Sequence, residues 1–390
     1  MEREVRIVPA FKAHVGYHLR ELIPYPPDGY RLTLNSRQQR LKEDISRNSL
    51  GSRAFGLLRY ELPIVLMNSL LRDRMTIHDG AHLLFLANNL CFADVPWVLE
   101  IDYPWDVIGT NVRHLTKFES VIERQLASEK CRKVMFFTNF GRHVSIEGMR
   151  WEHLSDKMVV LPRAVHSKRF TRPQKRRIRI LFLGSANLSG EFAIRGGWDV
   201  LDVFSRIAKY REDVELILRS DVPRKAKLEF SSTFRTGRVR LLERPLSNQQ
   251  LSMLFVSSDI FLFPCHYNNW LTILEAMSFG LPVVSLGVPG ADEFIADGET
   301  GYLVREHGTI SSQYKGIPIP VTARKLSRKP EGGLRSDVIT ELETKLLKLV
   351  DNDGLRTRMG NVAKMSIDSG KHSIYHRNEV LKSVFDQSVT

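Results

Sequence analysis

The chain has 390 residues, a length that favours two to three domains at roughly 150 residues each. Hydrophobic residues make up 43% and charged residues 26%, which excludes a chain disordered throughout, a collagenous repeat and a disulfide scaffold. Lys and Arg outnumber Asp and Glu by 57 to 44, a net charge of +13, and such a surplus points to anionic partners: phosphate groups, nucleic acid or an acidic membrane surface.

Apolar runs rich in Val, Ile, Leu and Phe alternate with amphipathic stretches, the pattern of buried parallel sheets with crossover helices. In the first half, strands are expected over 5–8, 30–34, 75–78, 97–101, 133–138 and 158–161, and helices over 53–71, 117–128 and 141–149. The stretch SKRFTRPQKRR, residues 167–177, is basic, polar and broken by Pro173, as an exposed linker is, and sets a first domain at 1–173. The alternation then restarts. Strands are expected over 178–183, 214–218, 239–242, 260–263, 282–285 and 302–304, and helices over 197–210, 248–256, 271–279 and 291–296. A second domain at 174–370 follows, with a long basic loop over 305–336. Closing helices are expected over 337–351, 354–367 and 374–387, the last within a segment, 371–390, that returns toward the first domain. Residues 1–176 hold 28 Lys and Arg against 19 Asp and Glu, and the remainder 29 against 25, so the first domain is the basic one.

Cys91, Cys131 and Cys265 form no CxxC pair, so neither a zinc ribbon nor a disulfide framework is indicated and a reducing cytoplasm is expected. The first six residues, MEREVR, lack the apolar core of a signal peptide. The longest uncharged stretch, 276–291, contains Pro282 and Pro289 and falls short of the ~20 residues a spanning helix needs. Membrane contact is therefore expected to be peripheral at most. The helix over 53–71 combines leucines with Arg53 and Arg59, and either lies on an anionic bilayer or covers the first sheet. His78 and His82 are four apart but lack an HExxH context. Asp351-Asn352-Asp353 reads as a helix cap rather than a metal motif. No nucleic-acid-binding module is evident, so the charge alone does not argue for one.

Chemistry concentrates in residues 260–304. A strand ends at Pro264, a loop carries His266 and Tyr267, and a helix begins near Leu271 and Thr272 with Glu275 in its first turns. Free amides at a helix start bind phosphate, and a carboxylate just beyond accepts hydrogen bonds from a ribose diol. The alternative for Glu275 is a surface residue that complements the helix dipole. Upstream, Arg195-Gly196-Gly197 follows a strand and a loop that starts at Gly184. Paired glycines let backbone approach a phosphate closely, and an Arg there neutralises a diphosphate; otherwise it is an exposed helix-start residue. Asp102 ends a first-domain strand, where open α/β sheets place ligands; it either contacts the substrate or caps a loop.

Leu274-Glu275-Ala276-Met277-Ser278-x-Gly280-x-Pro282-Val283-Val284, with Asp297-Gly298-x-Thr300-Gly301-Tyr302-Leu303-Val304 downstream, resembles the signature of family-four retaining glycosyltransferases, glycosyl transferases group 1, of the GT-B fold. Val160-Leu161-Pro162-Arg163 is similar to that family's approach to its hinge, and Leu347-Lys348-Leu349-Val350-Asp351 followed by Leu355-Arg356-x-Arg358-Met359-Gly360 to its closing helices. The resemblance implies two Rossmann-like domains facing across a cleft. It implies transfer of a sugar from a nucleotide-diphosphate sugar to a glycan, lipid-linked or small-molecule acceptor, without a metal or other cofactor. The leaving phosphate itself would help remove the acceptor proton. Catalytic roles then fall to Arg195, Glu275 and Asp102, and donor contacts to Gly16, Gly184, Ser185, Arg195, Gly196, Leu246, His266, Tyr267, Leu271, Thr272 and Glu275. The sequence departs from the pattern twice: Tyr267 replaces the first carboxylate of a Glu-x7-Glu motif, and Ser185 stands where a second Arg is usual. Both departures admit a non-catalytic scaffold or regulatory subunit as the alternative.

Overall fold

The computed structural model describes residues 2–9, 21–34, 63, 65–67, 69–70, 82–108, 112–173, 177–185, 191–267, 269–305, 311–314, 317–320 and 336–389. The chain forms two compact units. Unit 1 comprises Met1–Ala164, Tyr314–Ile317 and Ile374–Thr390; unit 2 comprises Val165–Gln313 and Pro318–Ser373.

Unit 1 is built on a six-stranded sheet of β1 (Arg3–Pro9), β2 (Tyr30–Leu34), β3 (Leu83–Ala87), β4 (Trp97–Ile101), β5 (Cys131–Phe136) and β6 (Met158–Val160), in the order β2-β1-β3-β4-β5-β6. Every pairing is parallel. The central strands β3, LLFLA, and β4, WVLEI, are buried at every residue, because a parallel sheet is covered on both faces and reads as a continuous apolar run. The expected strand over 75–78 lies outside the described residues, as does most of the expected helix over 53–71; of the latter, Val65, Leu66 and Ser69 are buried and Met67 and Leu70 exposed. The first long helix, α1, spans Val112–Ala127. The expected helix over 141–149 is a short α2 (Asn139–His143), capped by the Thr138 hydroxyl, that runs into a π-turn over Val144–Gly148.

Unit 2 repeats the plan with β7 (Ile178–Leu183), β8 (Val214–Arg219), β9 (Val239–Leu242), β10 (Ile260–Phe263), β11 (Val283–Leu286) and β12 (Gly301–Val304). All five pairings are parallel. Its helices are α3 (Glu191–Ile194), α4 (Gly197–Ile207), α5 (Arg224–Glu229), α6 (Ser231–Arg235), α7 (Asn248–Val256), α8 (Trp270–Ser278), α9 (Ser336–Asp351) and α10 (Asp353–Asp368). The strand order, β9-β8-β7-β10-β11-β12, is the 3-2-1-4-5-6 order of doubly wound dinucleotide-binding sheets. Within the expected basic loop, Ser311–Tyr314 and Ile317–Pro320 pair as a two-stranded sheet. Asn352 caps α10 by accepting the Leu355 amide at 2.8 Å, and Asp351 and Asp353 pair with Arg211 and Arg356, so the formal DxD is spent on structure.

The units divide between Ala164 and Val165 and between Ser373 and Ile374, not at 173/174 and 370/371. The linker-like stretch already packs on unit 2. Arg172 donates to the carbonyls of Phe279 and Gly280 at 2.6 and 3.0 Å and to that of Ser258, and the Phe170 and Phe279 rings are 5.5 Å apart. At the other junction α11 (Ile374–Asp386) lies on the unit 1 sheet. Phe385 meets the Tyr30 ring edge-on at 5.0 Å and the Phe85 ring at 6.3 Å, and the Tyr30 hydroxyl donates to Asp386 at 2.7 Å. Phe385→Ala removes a fully buried ring and is expected to destabilise unit 1 by about 3–5 kcal/mol. Urea denaturation followed by tryptophan fluorescence reads this; an unchanged midpoint would remove α11 from that core.

Candidate active site

The strand order of unit 2 reverses between β7 and β10, which lie side by side with Ile180 opposite Ile260. The chain leaving β7 goes to one side of the sheet and the chain leaving β10 to the other, opening a crevice at the carboxyl ends where such sheets bind ligands. The second-half residues singled out from sequence follow β7, β9 and β10 at this edge. Gly184 and Ser185 leave β7. A Cβ on Gly184 would lie 2.1 Å from the Ser220 hydroxyl, so glycine alone lets the β7 and β8 exits run together. The Ser185 carbonyl accepts the Asp221 amide at 3.0 Å.

Arg195 follows α3. Its Nε donates to Glu191 Oε2 at 2.8 Å, and its side chain is 18% exposed. Gly196 has φ +83°, the left-handed region that glycine tolerates. A Cβ there would lie 2.1 Å from the Pro264 carbonyl oxygen. The His266 amide donates to the Ile194 carbonyl at 2.9 Å, so the Arg-Gly-Gly turn is stapled to the β10 exit. The His266 ring is buried. Its Nε2 bonds Asp199 Oδ2 at 2.8 Å, while Nδ1 is enclosed with no hydrogen-bond partner among the described residues. Burial pushes the neighbouring Cys265 thiol up in pKa, and the Arg195 charge opposes this.

From β10 the chain enters α8. Trp270 stacks on Phe294 at 4.6 Å, and Phe294 on His372 at 5.1 Å, which fixes the start of the helix. The Thr272 amide is not free as expected: it turns back on the Asn269 carbonyl at 3.0 Å, because the first turn tightens where no side chain caps it. The Leu271 amide has no such partner among the described residues. Glu275 is half-buried one turn further on, beside buried Ala276 and Met277. Tyr267 is half-buried against the core, its carbonyl accepting the Cys265 thiol. Leu246 is half-buried in the turn between β9 and α7, just before the Ser247–Gln250 capping box.

Two residues here were not singled out from sequence. Asp199 holds His266 from the first turn of α4. Arg219 is the last residue of β8, in register with Leu183, one residue past the expected strand end. The signal for both is a lone charge at an element terminus, which sequence alone does not aim. Asp102 belongs to unit 1. Asp106, not Asp102, caps the loop after β4, accepting the Asp102 and Tyr103 amides at 3.0 and 2.9 Å. The Asp102 carboxylate lies 3.6 Å from Arg163, whose guanidinium covers the Phe137 ring at 3.3 Å. Gly16 lies outside the described residues. Among the described residues no group of three or more His, Cys, Asp or Glu is placed to hold a metal ion, and no helix is long and apolar enough to cross a membrane.

Residues 177–313 match the family model described as Glycosyl transferases group 1. Over these residues the chain is similar to group 1 glycosyltransferases. A Haemophilus influenzae protein described as an uncharacterized glycosyltransferase is 24% identical over 267 residues, 67% of this chain and 70% of its own length. The crystal structure of a Rickettsia africae glycosyltransferase matches 99% of this chain and 98% of its own at 14% identity and TM-score 0.60. TarM matches 78% of this chain at 16% identity and TM-score 0.51; the match spans 54% of TarM. The whole chain thus has the GT-B fold of two Rossmann-like domains. Because unit 2 keeps its Arg-Gly-Gly turn against Pro264, Gly196→Ala adds αL strain and a backbone clash and is expected to destabilise unit 2 by about 1–3 kcal/mol. Thermal unfolding with and without nucleotide checks it; a wild-type midpoint would show that the turn yields.

Proposed function

We propose that this glycosyltransferase moves a sugar from a nucleotide-diphosphate sugar to a glycan, lipid-linked or small-molecule acceptor, with retention at the anomeric carbon and no resident metal. One observation carries the reading: the Arg195-Gly196 turn is pinned at the switch point of unit 2 beside the entry to α8. That is where open α/β sheets hold nucleotide phosphates. A TarM structure from S. aureus contains UDP, and a group 1 domain here supports the same donor class.

In this reading Arg195 keeps its Nη groups for the departing diphosphate, since only Nε is taken by Glu191. The Leu271 amide adds a donor at the positive end of α8. Glu275 holds the ribose diol, Leu246 lies toward the base, and His266 and Tyr267 face the sugar, with the Tyr267 hydroxyl in the role of a missing carboxylate. Asp102 serves the acceptor side. Catalysis is then positioning plus stabilisation of leaving-group charge. The second reading, a non-catalytic relative that still binds nucleotide, is favoured by Tyr267 in the first motif position.

A panel of UDP-, GDP- and ADP-sugars, tested by thermal shift and by hydrolysis, separates the two: binding without turnover selects the second. Arg195→Ala is expected to lower kcat by roughly 10²–10³ with folding unchanged, the scale of losing one transition-state donor; wild-type turnover would retire its role. Glu275→Gln is expected to weaken nucleotide binding by about 1.5–3 kcal/mol, read by calorimetry, and equal affinity would retire the ribose assignment.

A further inference from the structure

Arg219 is the least accounted-for charge at the carboxyl edge of unit 2. It is half-buried at the end of β8, next to β7. Its Nε is enclosed without a hydrogen-bond acceptor among the described residues. Its one hydrogen bond among the described residues is long, from Nη1 to the Gly184 carbonyl at 3.4 Å. No carboxylate among the described residues pairs with it. Burial holds its guanidinium below the usual pKa, and the charge of Arg195 lowers it further. Two cations therefore share this edge, and the single carboxylate among the described residues bonded to either, Glu191, is bonded to Arg195. The β7 exit, Gly184 and Ser185, contributes no charge of its own.

A half-buried cation with no counter-ion is costly and stays so until an anion arrives. We propose that Arg219 is a phosphate-binding residue, seating with Arg195 the diphosphate of the nucleotide donor. The inference deepens the donor reading and rests on it for the identity of the anion. The chemistry selects a diphosphate. After Glu191 is counted, one net positive charge and two guanidinium faces remain, and adjacent phosphates present oxygens to both, the paired geometry that arginine supplies and lysine does not. The Nε that finds no acceptor in the protein would donate to a phosphate oxygen.

The test uses the full chain as wild type, Arg219→Gln and Arg219→Lys. Binding of inorganic pyrophosphate, of UDP, GDP and ADP, and of the corresponding nucleosides is measured by calorimetry, with thermal unfolding of each unliganded protein. Arg219→Gln is expected to bind pyrophosphate and the preferred nucleoside diphosphate about ten- to a hundredfold more weakly, the scale of a charge-assisted hydrogen bond. Nucleoside affinity is expected to hold. The unliganded Arg219→Gln protein is expected to unfold no lower than wild type, because an uncompensated charge is gone; a purely structural arginine would lower it. Arg219→Lys is expected to recover part of the diphosphate affinity. Unchanged pyrophosphate and diphosphate binding by Arg219→Gln overturns the assignment, as does equal loss of nucleoside affinity with a lowered midpoint. If wild type binds pyrophosphate through Arg219 but no nucleoside diphosphate, the donor reading fails and Arg219 stands. If wild type binds neither, both fail.

Discussion

The contact between the Gly196 backbone and the Pro264 carbonyl decides how the β7 and β10 exits of unit 2 meet. One chain segment returns from β7 and another leaves β10, and they belong to opposite wings of the sheet. Pairing of β7 with β10 sets the two strand ends side by side. The left-handed turn at φ +83° then lets their loops meet, because the absent side chain leaves room for a neighbouring carbonyl. The bond from the His266 amide to the Ile194 carbonyl then locks the approach. Arg195 and the His266–Asp199 pair both adjoin that junction. A glycine in regular structure costs about 0.5–1 kcal/mol relative to alanine; here the cost is offset because the alternative is a steric overlap.

The same edge collects polar atoms that folding leaves unsatisfied. His266 Nδ1 and Arg219 Nε are enclosed without partners among the described residues, and each such group costs about 1–3 kcal/mol. A fold tolerates that only with a rigid surround. The stack of Trp270, Phe294 and His372 and the buried Phe182, Phe192 and Phe263 beneath the crevice supply it. Groups held in place before a ligand arrives do not have to reorganise when charge develops on it.

How much of this was legible in the sequence depends on how local its cause is. Strands buried on both faces read as unbroken apolar runs, and those over Ile178–Leu183, Val239–Leu242 and Ile260–Phe263 are found as expected. The strand Leu83–Ala87 was not expected, because LLFLA lacks β-branched residues and an apolar run alone does not separate strand from buried helix. The short helices α5 and α6 carry too few turns to show a period. At the candidate site, Glu275 and Arg195-Gly196-Gly197 can be nominated from sequence because each lies in a contiguous motif. Asp199 and Arg219 were not, because their meaning comes from partners 67 and 35 residues away across the sheet.

The placement of α11 reverses the usual order of assembly. Domains generally fold in the order they are synthesised. Here the unit 1 core is finished by a helix that follows all of unit 2, and the Tyr30–Asp386 bond joins residues 356 positions apart. On the ribosome, every residue of unit 2 is made before residue 374. The face of the first sheet that carries Tyr30 and Phe85 waits for Phe385 throughout that time. The half that begins second is therefore the half whose residues are complete first, and Tyr30 and Phe85 lack the Phe385 ring until residue 385 is made.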